Sequence, residues 1–210
     1  MACGMPPVRI DATAARESFA RRVEPGGLLA DDAPRIAQAC HDMAGRFHRG
    51  GTLLVFGNAG ASTDAQHLAV EFVHPVIVGK RALPALSLTN DVAVLTGIAT
   101  DDGFDEIFAG QVRQLARAED IALGLSSDGR SANVLRGLEE AHRRGAMTVA
   151  MVGGDGGPIA ASPAVDHVLT AHSDDPRVVK EIHVTMYHVL WELVHVFLEQ
   201  PGLLGPAVIR

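Results

Sequence analysis

Residues 52–71 read TLLVFGNAGASTDAQHLAVE, and the change of character along this stretch sets the fold class. The apolar run Leu53-Leu54-Val55-Phe56 ends at Gly57-Asn58, passes through Ala59, Gly60, Ala61, Ser62 and Thr63, and enters a helix-compatible segment at Asp64. A short apolar run closed by small residues and followed by helical periodicity predicts a buried strand, a tight turn and a helix start. Amides in the first turn of a helix have no intrahelical partner and are suited to receive an anion. Further along, His67 and Glu71 stand four apart, so a helix places both on one face, where they can converge on one metal ion or one substrate atom. The stretch reads as a site as well as a fold signal.

Downstream, strand-like and helix-like segments alternate. Leu53–Phe56, Ala85–Leu88, Ile121–Leu125, Met147–Val152 and Val165–Thr170 are the predicted strands. Helices are predicted near Asp64–Phe72, Asp91–Ile98, Phe104–Arg117 and Ser131–Arg144, with a short segment at Pro158–Ala161 and a long final helix over Arg177–Glu199. Such alternation implies βαβ crossovers and a mostly parallel sheet covered on both faces. Ligands of such sheets bind at the carboxyl ends of the strands, near the point where strand order reverses.

Upstream, Met1–Ile10 contains proline, lacks periodicity and is expected to be mobile. Ala12–Val23 has helical character that Pro25-Gly26-Gly27 is expected to break. From Asp31 or Asp32 to His48, Ile36, Ala37, Cys40, Met43, Ala44 and Phe47 recur at helical spacing and are followed by Gly50-Gly51. In the final helix, Val178, Ile182, Met186, Val189, Leu190, Leu193, Val194, Phe197 and Leu198 cover more of the circumference than one core-facing stripe needs, which predicts a second partner surface.

Composition bounds the function. A chain of 210 residues with 47% hydrophobic content fits one domain with an appendage. A formal net charge of -7 and the lack of a Lys/Arg run argue against a nucleic-acid backbone as partner. No window approaches the ~20 apolar residues of a membrane span, and MACGMPPVRI has no apolar signal core, so a soluble cytoplasmic protein is expected. Two cysteines, Cys3 in the tail and Cys40 on a predicted helix, do not make a disulfide framework; Cys40 reads as a buried, inert thiol.

A second turn repeats the logic of the first. Ser126-Ser127-Asp128-Gly129-Arg130-Ser131 closes the third predicted strand and leads into a helix carrying Asn133, Val134, Leu135 and Leu138. Hydroxyls beside helix N-terminal amides hold phosphate, and Ser and Asp equally favour helix caps with no ligand at all.

Taken in order, GNAGASTDAQHLAVE, TNDVAVLTGIATDDGFDEIF, SSDGRSANVL, GGDGG and EIHVTMYH resemble the sugar isomerase domain family, in particular the phosphoheptose isomerases and the related initiator-associating proteins of bacteria. The resemblance runs from Asp32 to Glu199, leaving residues 1–31 as an N-terminal tail and helix and 200–210 as a C-terminal tail. It implies an α/β fold, a three-layer, flavodoxin-like sandwich with a five-stranded parallel sheet and added N-terminal helices. It also implies a homotetramer with sites at subunit interfaces and, in the isomerases, interconversion of sedoheptulose 7-phosphate with a manno-heptose 7-phosphate.

Carried onto this chain, the resemblance makes Glu71 a general base and His188 a general acid. Moving a carbonyl between C1 and C2 needs one group to take a carbon-bound proton and another to serve the oxygens. His67, Glu71 and His188 match three of four zinc positions, Ser126, Ser127 and Ser131 match a phosphate loop, Asn58, Gly60, Ala61 and Ser62 match the first turn, and Asp91 and Asp101 match acidic positions bordering the pocket. The bland alternatives are packing histidines, helix caps and solvated faces.

Three departures fall at ligand positions. The first turn, usually GNGGS, has Ala59 for its third residue and Ala61 for the phosphate-binding serine; the second, usually STSGNS, has Asp128 for its third hydroxyl. A carboxylate beside a phosphate dianion opposes binding unless Arg130 turns inward to offset it. The fourth metal position, usually Gln, is Lys180, whose ammonium repels zinc and could pair with Glu71 or act as an acid. No cofactor is therefore expected, and zinc is disfavoured. Retained Glu71 and His188 support an isomerase of phosphosugars or related derivatives; Ala61, Asp128 and Lys180 support a non-catalytic, tetrameric binding or regulatory protein that recognises a sugar or a protein partner. On sequence alone the balance leans to a scaffold that binds a sugar derivative.

Overall fold

The computed structural model describes residues 11–204, so the expectations for Met1–Ile10, Cys3 included, and for the chain beyond Leu204 lie outside the described residues. The elements are α1 (Thr13–Asp31), α2 (Ala33–His48), β1 (Leu53–Gly57), α3 (Gly60–Val73), β2 (Ala85–Ser87), α4 (Val92–Asp101), α5 (Ala109–Leu115), β3 (Ile121–Ser126), α6 (Ala132–Arg143), β4 (Met147–Gly153), α7 (Gly157–Ala161), β5 (His167–Ala171) and α8 (Pro176–Leu198). Short 3-10 turns at Phe104–Glu106 and Pro201–Leu203 complete the described chain.

All strands pair in parallel in the order β2-β1-β3-β4-β5. Leu53 lies opposite both Ala85 and Ile121, Ile121 opposite Met147, and Val149 opposite His167. The strand period of two sorts the core into two layers. Leu53, Val55, Leu123, Val149 and Met151 pack with Met43, Leu68, Phe72 and Leu190 on the α2, α3 and α8 side. Leu54, Phe56, Ala122, Ala150 and Val152 pack with Phe108, Val112, Val134 and Leu138 on the other. Strand order reverses between β1 and β3, so their carboxyl ends open a crevice edged by the turns after Gly57 and Ser126.

The three-layer α/β sandwich agrees with expectation; several local features do not. α1 runs on through Pro25, Gly26 and Gly27 instead of breaking there. Proline disfavours a helix interior by about 3 kcal/mol, and here tertiary contacts prevail. Pro25 and Leu29 are buried, and the Arg22 guanidinium donates to Glu181 of α8 at 2.7 Å. α3 begins at Gly60, not Asp64. Phe104–Arg117 is split, its 3-10 start turning Ile107 and Phe108 inward while Phe104 stays exposed. β5 starts at His167 because Asp166 is held by the Thr148 amide and hydroxyl (2.8 and 3.1 Å), which keeps residues 162–166 in a turn.

The broad apolar surface of α8 is also used within the chain. Val178, Ile182, Met186, Leu190 and Val194 are buried, and Val189, Leu193, Phe197 and Leu198 pack partly against the same core. Cys40 is buried and burial pushes its thiol up to about 12, which keeps it protonated. No helix among the described residues is long and apolar enough to cross a membrane.

Among the described residues, Ala59 is the one non-glycine residue with positive φ (49°, with ψ -118°). A Cβ in this region costs about 1–3 kcal/mol, whereas the extra unfolded-state freedom of glycine costs about 0.4–1 kcal/mol. Strain is the larger effect, so Ala59→Gly should stabilise the protein by about 1 kcal/mol, a rise of roughly 2–4 °C in melting temperature. Thermal unfolding measures this; a lower melting temperature would mean the turn is not strained.

Candidate functional site

The two turns that edge the crevice are tied together by their side chains. Asn58 donates to Asn133 Oδ1 at 2.8 Å and Asn133 donates to Asn58 Oδ1 at 2.9 Å, a reciprocal amide pair between the β1–α3 turn and α6. Asn133 is 1% exposed, so losing either partner would leave the other amide buried without its bond, at about 1–3 kcal/mol. Behind this pair lies a cavity of about 300 Å3 walled by the β1–α3 turn, the β3–α6 turn and the start of α8. Gly60 opens α3, Ser131 precedes α6 and Pro176 opens α8, and all three line it. Three helix N-termini give this cavity a positive backbone field in a chain of net charge -7.

α3 and α8 then carry a second cluster further along their lengths. Asp64, His67 and Glu71 occupy one stripe of α3, and Lys180, Tyr187 and Trp191 meet them from α8. Lys180 Nζ donates to Asp64 Oδ1 at 2.6 Å and to the Gly60 carbonyl at 2.8 Å. Tyr187 Oη lies 2.8 Å from His67 Nδ1, and the Trp191 indole donates to the Glu71 carbonyl at 2.8 Å. Burial, then the Asp64 and Glu71 charges, push the Tyr187 phenol up to about 12, so it stays protonated. His67 Nε2 lies 3.1 Å from Glu71 Oε1. His188 donates from Nδ1 to the Val184 carbonyl at 2.8 Å, which leaves Nε2 as the nitrogen available to a ligand. Glu71 is 8% exposed, while both histidines face outward.

One ligand atom from each of His67, Glu71 and His188 falls within 4.8 Å of the others. Each histidine also has its second ring nitrogen anchored, to Tyr187 or to the Val184 carbonyl. A phenol both donates and accepts, so the His67 contact suits either tautomer. The set fits a divalent cation with three protein ligands and an open position.

The other sequence-derived candidates divide. Asn58, Gly60, Ala61, Ser126, Ser127, Ser131 and Lys180 line the cavity. Ser62 does not; its hydroxyl donates to the Ala59 carbonyl at 2.7 Å. Asp91 caps α4, accepting from the Val94 amide at 3.0 Å, and Asp101 is exposed in the last turn of that helix. Lys180 pairs with Asp64 instead of Glu71. Asp128 and Arg130 line a neighbouring cleft of about 470 Å3 with Asp155, Ser173 and Asp174. Asp128 accepts from the Arg130 amide at 3.0 Å, while the Arg130 guanidinium grips Asp155 at 3.0 and 2.9 Å and holds its carboxyl below the usual range.

Asp64, Asn133, His183 and Tyr187 join the site without having been singled out from the sequence. The i, i+3, i+7 spacing of Lys180, His183 and Tyr187 was the available signal. A larger cleft of about 520 Å3 opens at the opposite, amino-terminal edge of the sheet. Two of its charged side chains are held within the chain. Asp42 meets His41 and His167, each at 3.1 Å, and Arg46 donates to the Ala118 and Gly145 carbonyls.

Comparison with known proteins bears on this arrangement. The SIS domain model matches residues 26–153. A phosphoheptose isomerase of Solidesulfovibrio magneticus is 40% identical over 200 residues, 95% of each chain. The solved phosphoheptose isomerase of Francisella tularensis superposes with a TM-score of 0.83 at 30% identity, covering 90% of this chain and all of that one. The phosphoheptose isomerase GmhA of Neisseria gonorrhoeae gives 0.79 at 32%, covering 86% and 96%. With the five-stranded parallel sheet and the quoted motifs, these similarities show that the chain belongs to the SIS domain family, on the branch that includes the phosphoheptose isomerases.

Proposed function

We propose that this chain is an aldose–ketose isomerase of phosphorylated sugars, of the heptose 7-phosphate class, with Glu71 as base and His188 as acid. The carrying observation is the Glu71 carboxylate, largely buried and set beside the outward-facing His67 and His188. The balance differs from that drawn on sequence alone for two physical reasons. Asp128 lines the adjoining cleft, where its carboxylate is engaged by the Arg130 amide and the Ser126 hydroxyl, and the Lys180 charge is matched by Asp64. The relatives at 40% identity over nearly the whole chain are named phosphoheptose isomerases, which supports the same reading.

In this mechanism the phosphate rests against Ser126, Ser127, Ser131 and the helix N-termini. Glu71 takes the C2 proton of the aldose as protonated His188 gives its Nε2 proton to O1, forming an enediol; His188 Nε2 then takes the O2 proton while Glu71 returns its proton to C1, so the ketose forms and both groups are regenerated. A phosphorylated substrate does not cross membranes unaided, which supports a cytoplasmic location for the reaction. Glu71→Gln should lower turnover of sedoheptulose 7-phosphate by at least about a hundredfold with little change in KM. Equal turnover in both proteins would remove Glu71 as the base, whereas no turnover by the parent would favour the binding-only role, for which Ala61 remains the main support.

Zinc, when held by His67, Glu71 and His188, would polarise the sugar carbonyl. We propose weak occupancy, because the fourth position offers the Lys180 ammonium, already bonded to Asp64, in place of a neutral ligand. Elemental analysis of the purified protein should show well under one zinc per chain and more in Lys180→Gln. Stoichiometric zinc in the parent would refute this.

The same reading includes a homotetramer. α4 (VAVLTGIATD) buries none of its residues, and Val76, Ile77, Val78 and Leu86 are also exposed on the elements around the β2 edge. A second chain on this surface would cover it and border the site near Asp91 and Asp101. Sedimentation at micromolar concentration should give a tetramer; a monomer would exclude this arrangement.

A further inference from the structure

Among the described residues, one buried side-chain nitrogen or oxygen has no hydrogen-bond partner, Nε2 of His183. His183 sits on α8 one turn beyond Lys180, is 2% exposed, and forms part of the wall of the 300 Å3 cavity beside Ser126, Ser127 and Ser131. Buried polar atoms without partners are rare and destabilising, and one on a cavity wall points to something that enters the cavity. Burial pushes the imidazole down from its usual range, against the opposing pull of a hydrogen bond to the Val152 carbonyl and the Asp64 charge, with Lys180 adding to the drop. A ring kept neutral by burial has one nitrogen with a free lone pair, and Nε2, which meets no partner among the described residues, is the nitrogen placed to offer it. The cavity thus offers hydroxyls, helix amides and the Lys180 ammonium as donors, and in His183 an acceptor that the dianionic phosphoryl group of an ester, which has no O–H, does not satisfy.

We propose that His183 is a specificity-determining residue, whose Nε2 accepts a hydrogen bond from a hydroxyl on the carbon chain of the bound sugar phosphate. This rests on the phosphosugar reading above. It makes the site selective for hydroxylated phosphate esters over esters that lack that hydroxyl, which leave Nε2 unpaired.

The test is calorimetric titration of the parent, His183→Leu and His183→Gln with sedoheptulose 7-phosphate, competition by methyl phosphate, whose dianion has no O–H, and thermal unfolding without ligand. His183→Leu should bind the sugar phosphate about tenfold or more weakly, with competition by methyl phosphate unchanged within about twofold. Its ligand-free melting temperature should hold or rise, because an unsatisfied buried acceptor has been removed. Gln, which keeps an acceptor on a side chain of similar reach, should recover part of the affinity. Equal weakening toward both ligands together with a lower melting temperature would reduce His183 to packing and overturn the proposal. Undiminished sugar-phosphate affinity in His183→Leu would overturn it alone, whereas no binding by the parent would overturn the phosphosugar reading and this inference together.

Discussion

The site hangs on the seam between α3 and α8. Three contacts tie it in register: Lys180 to Asp64, Tyr187 to His67, and Trp191 to the Glu71 carbonyl. Both series ascend in the same direction, so the two helices run parallel and present their N-termini at the same end of the molecule. That end is the crevice where strand order reverses, and the α6 N-terminus joins it there. One packing relation therefore fixes both the positive field of the cavity and the orientation of the acid–base pair. Side chains held by such second contacts lose less orientational freedom when a ligand arrives.

The unusual residues also make physical sense as sets. Asp128, Arg130 and Asp155 form one group that clamps the β3–α6 turn to the β4–α7 turn. Gly129 allows the clamp to close. Its φ is +69°, and a Cβ there would lie 1.8 Å from the Gly156 carbonyl oxygen. Lys180 and Asp64 form a second group, in which a buried carboxylate is matched by a partly exposed ammonium. Single replacements within either group would leave a charge without its partner, so each is best viewed as a unit.

Much of this was legible in the sequence. The β1 run and its glycine-rich turn, the alternation of strands with helices, and the His67–Glu71 spacing all follow from local periodicity, which the structure keeps. Departures arose where distant contacts override local preference. Pro25 is carried inside α1 by its packing and by the Arg22–Glu181 pair, and β5 is shortened by the Asp166–Thr148 bonds. Asn58 looked like a ligand donor, but its amide is taken by Asn133, seventy-five positions away. Charge compensation was hidden for the same reason. Nothing in the residues next to Lys180 or Arg130 names Asp64 or Asp155 as partner, because pairings across a parallel sheet are set by topology.

Trp191 is the sole tryptophan of the chain, and its indole N–H is committed to the carbonyl of the residue assigned as base. Its ring also lies 4.5 Å from that of His195. Indole emission responds to hydrogen bonding and to nearby groups that quench it, so intrinsic fluorescence in this protein is a signal from the back of α3. The molecule carries a built-in optical gauge of how firmly Glu71 is seated, with no competing chromophore of the same kind.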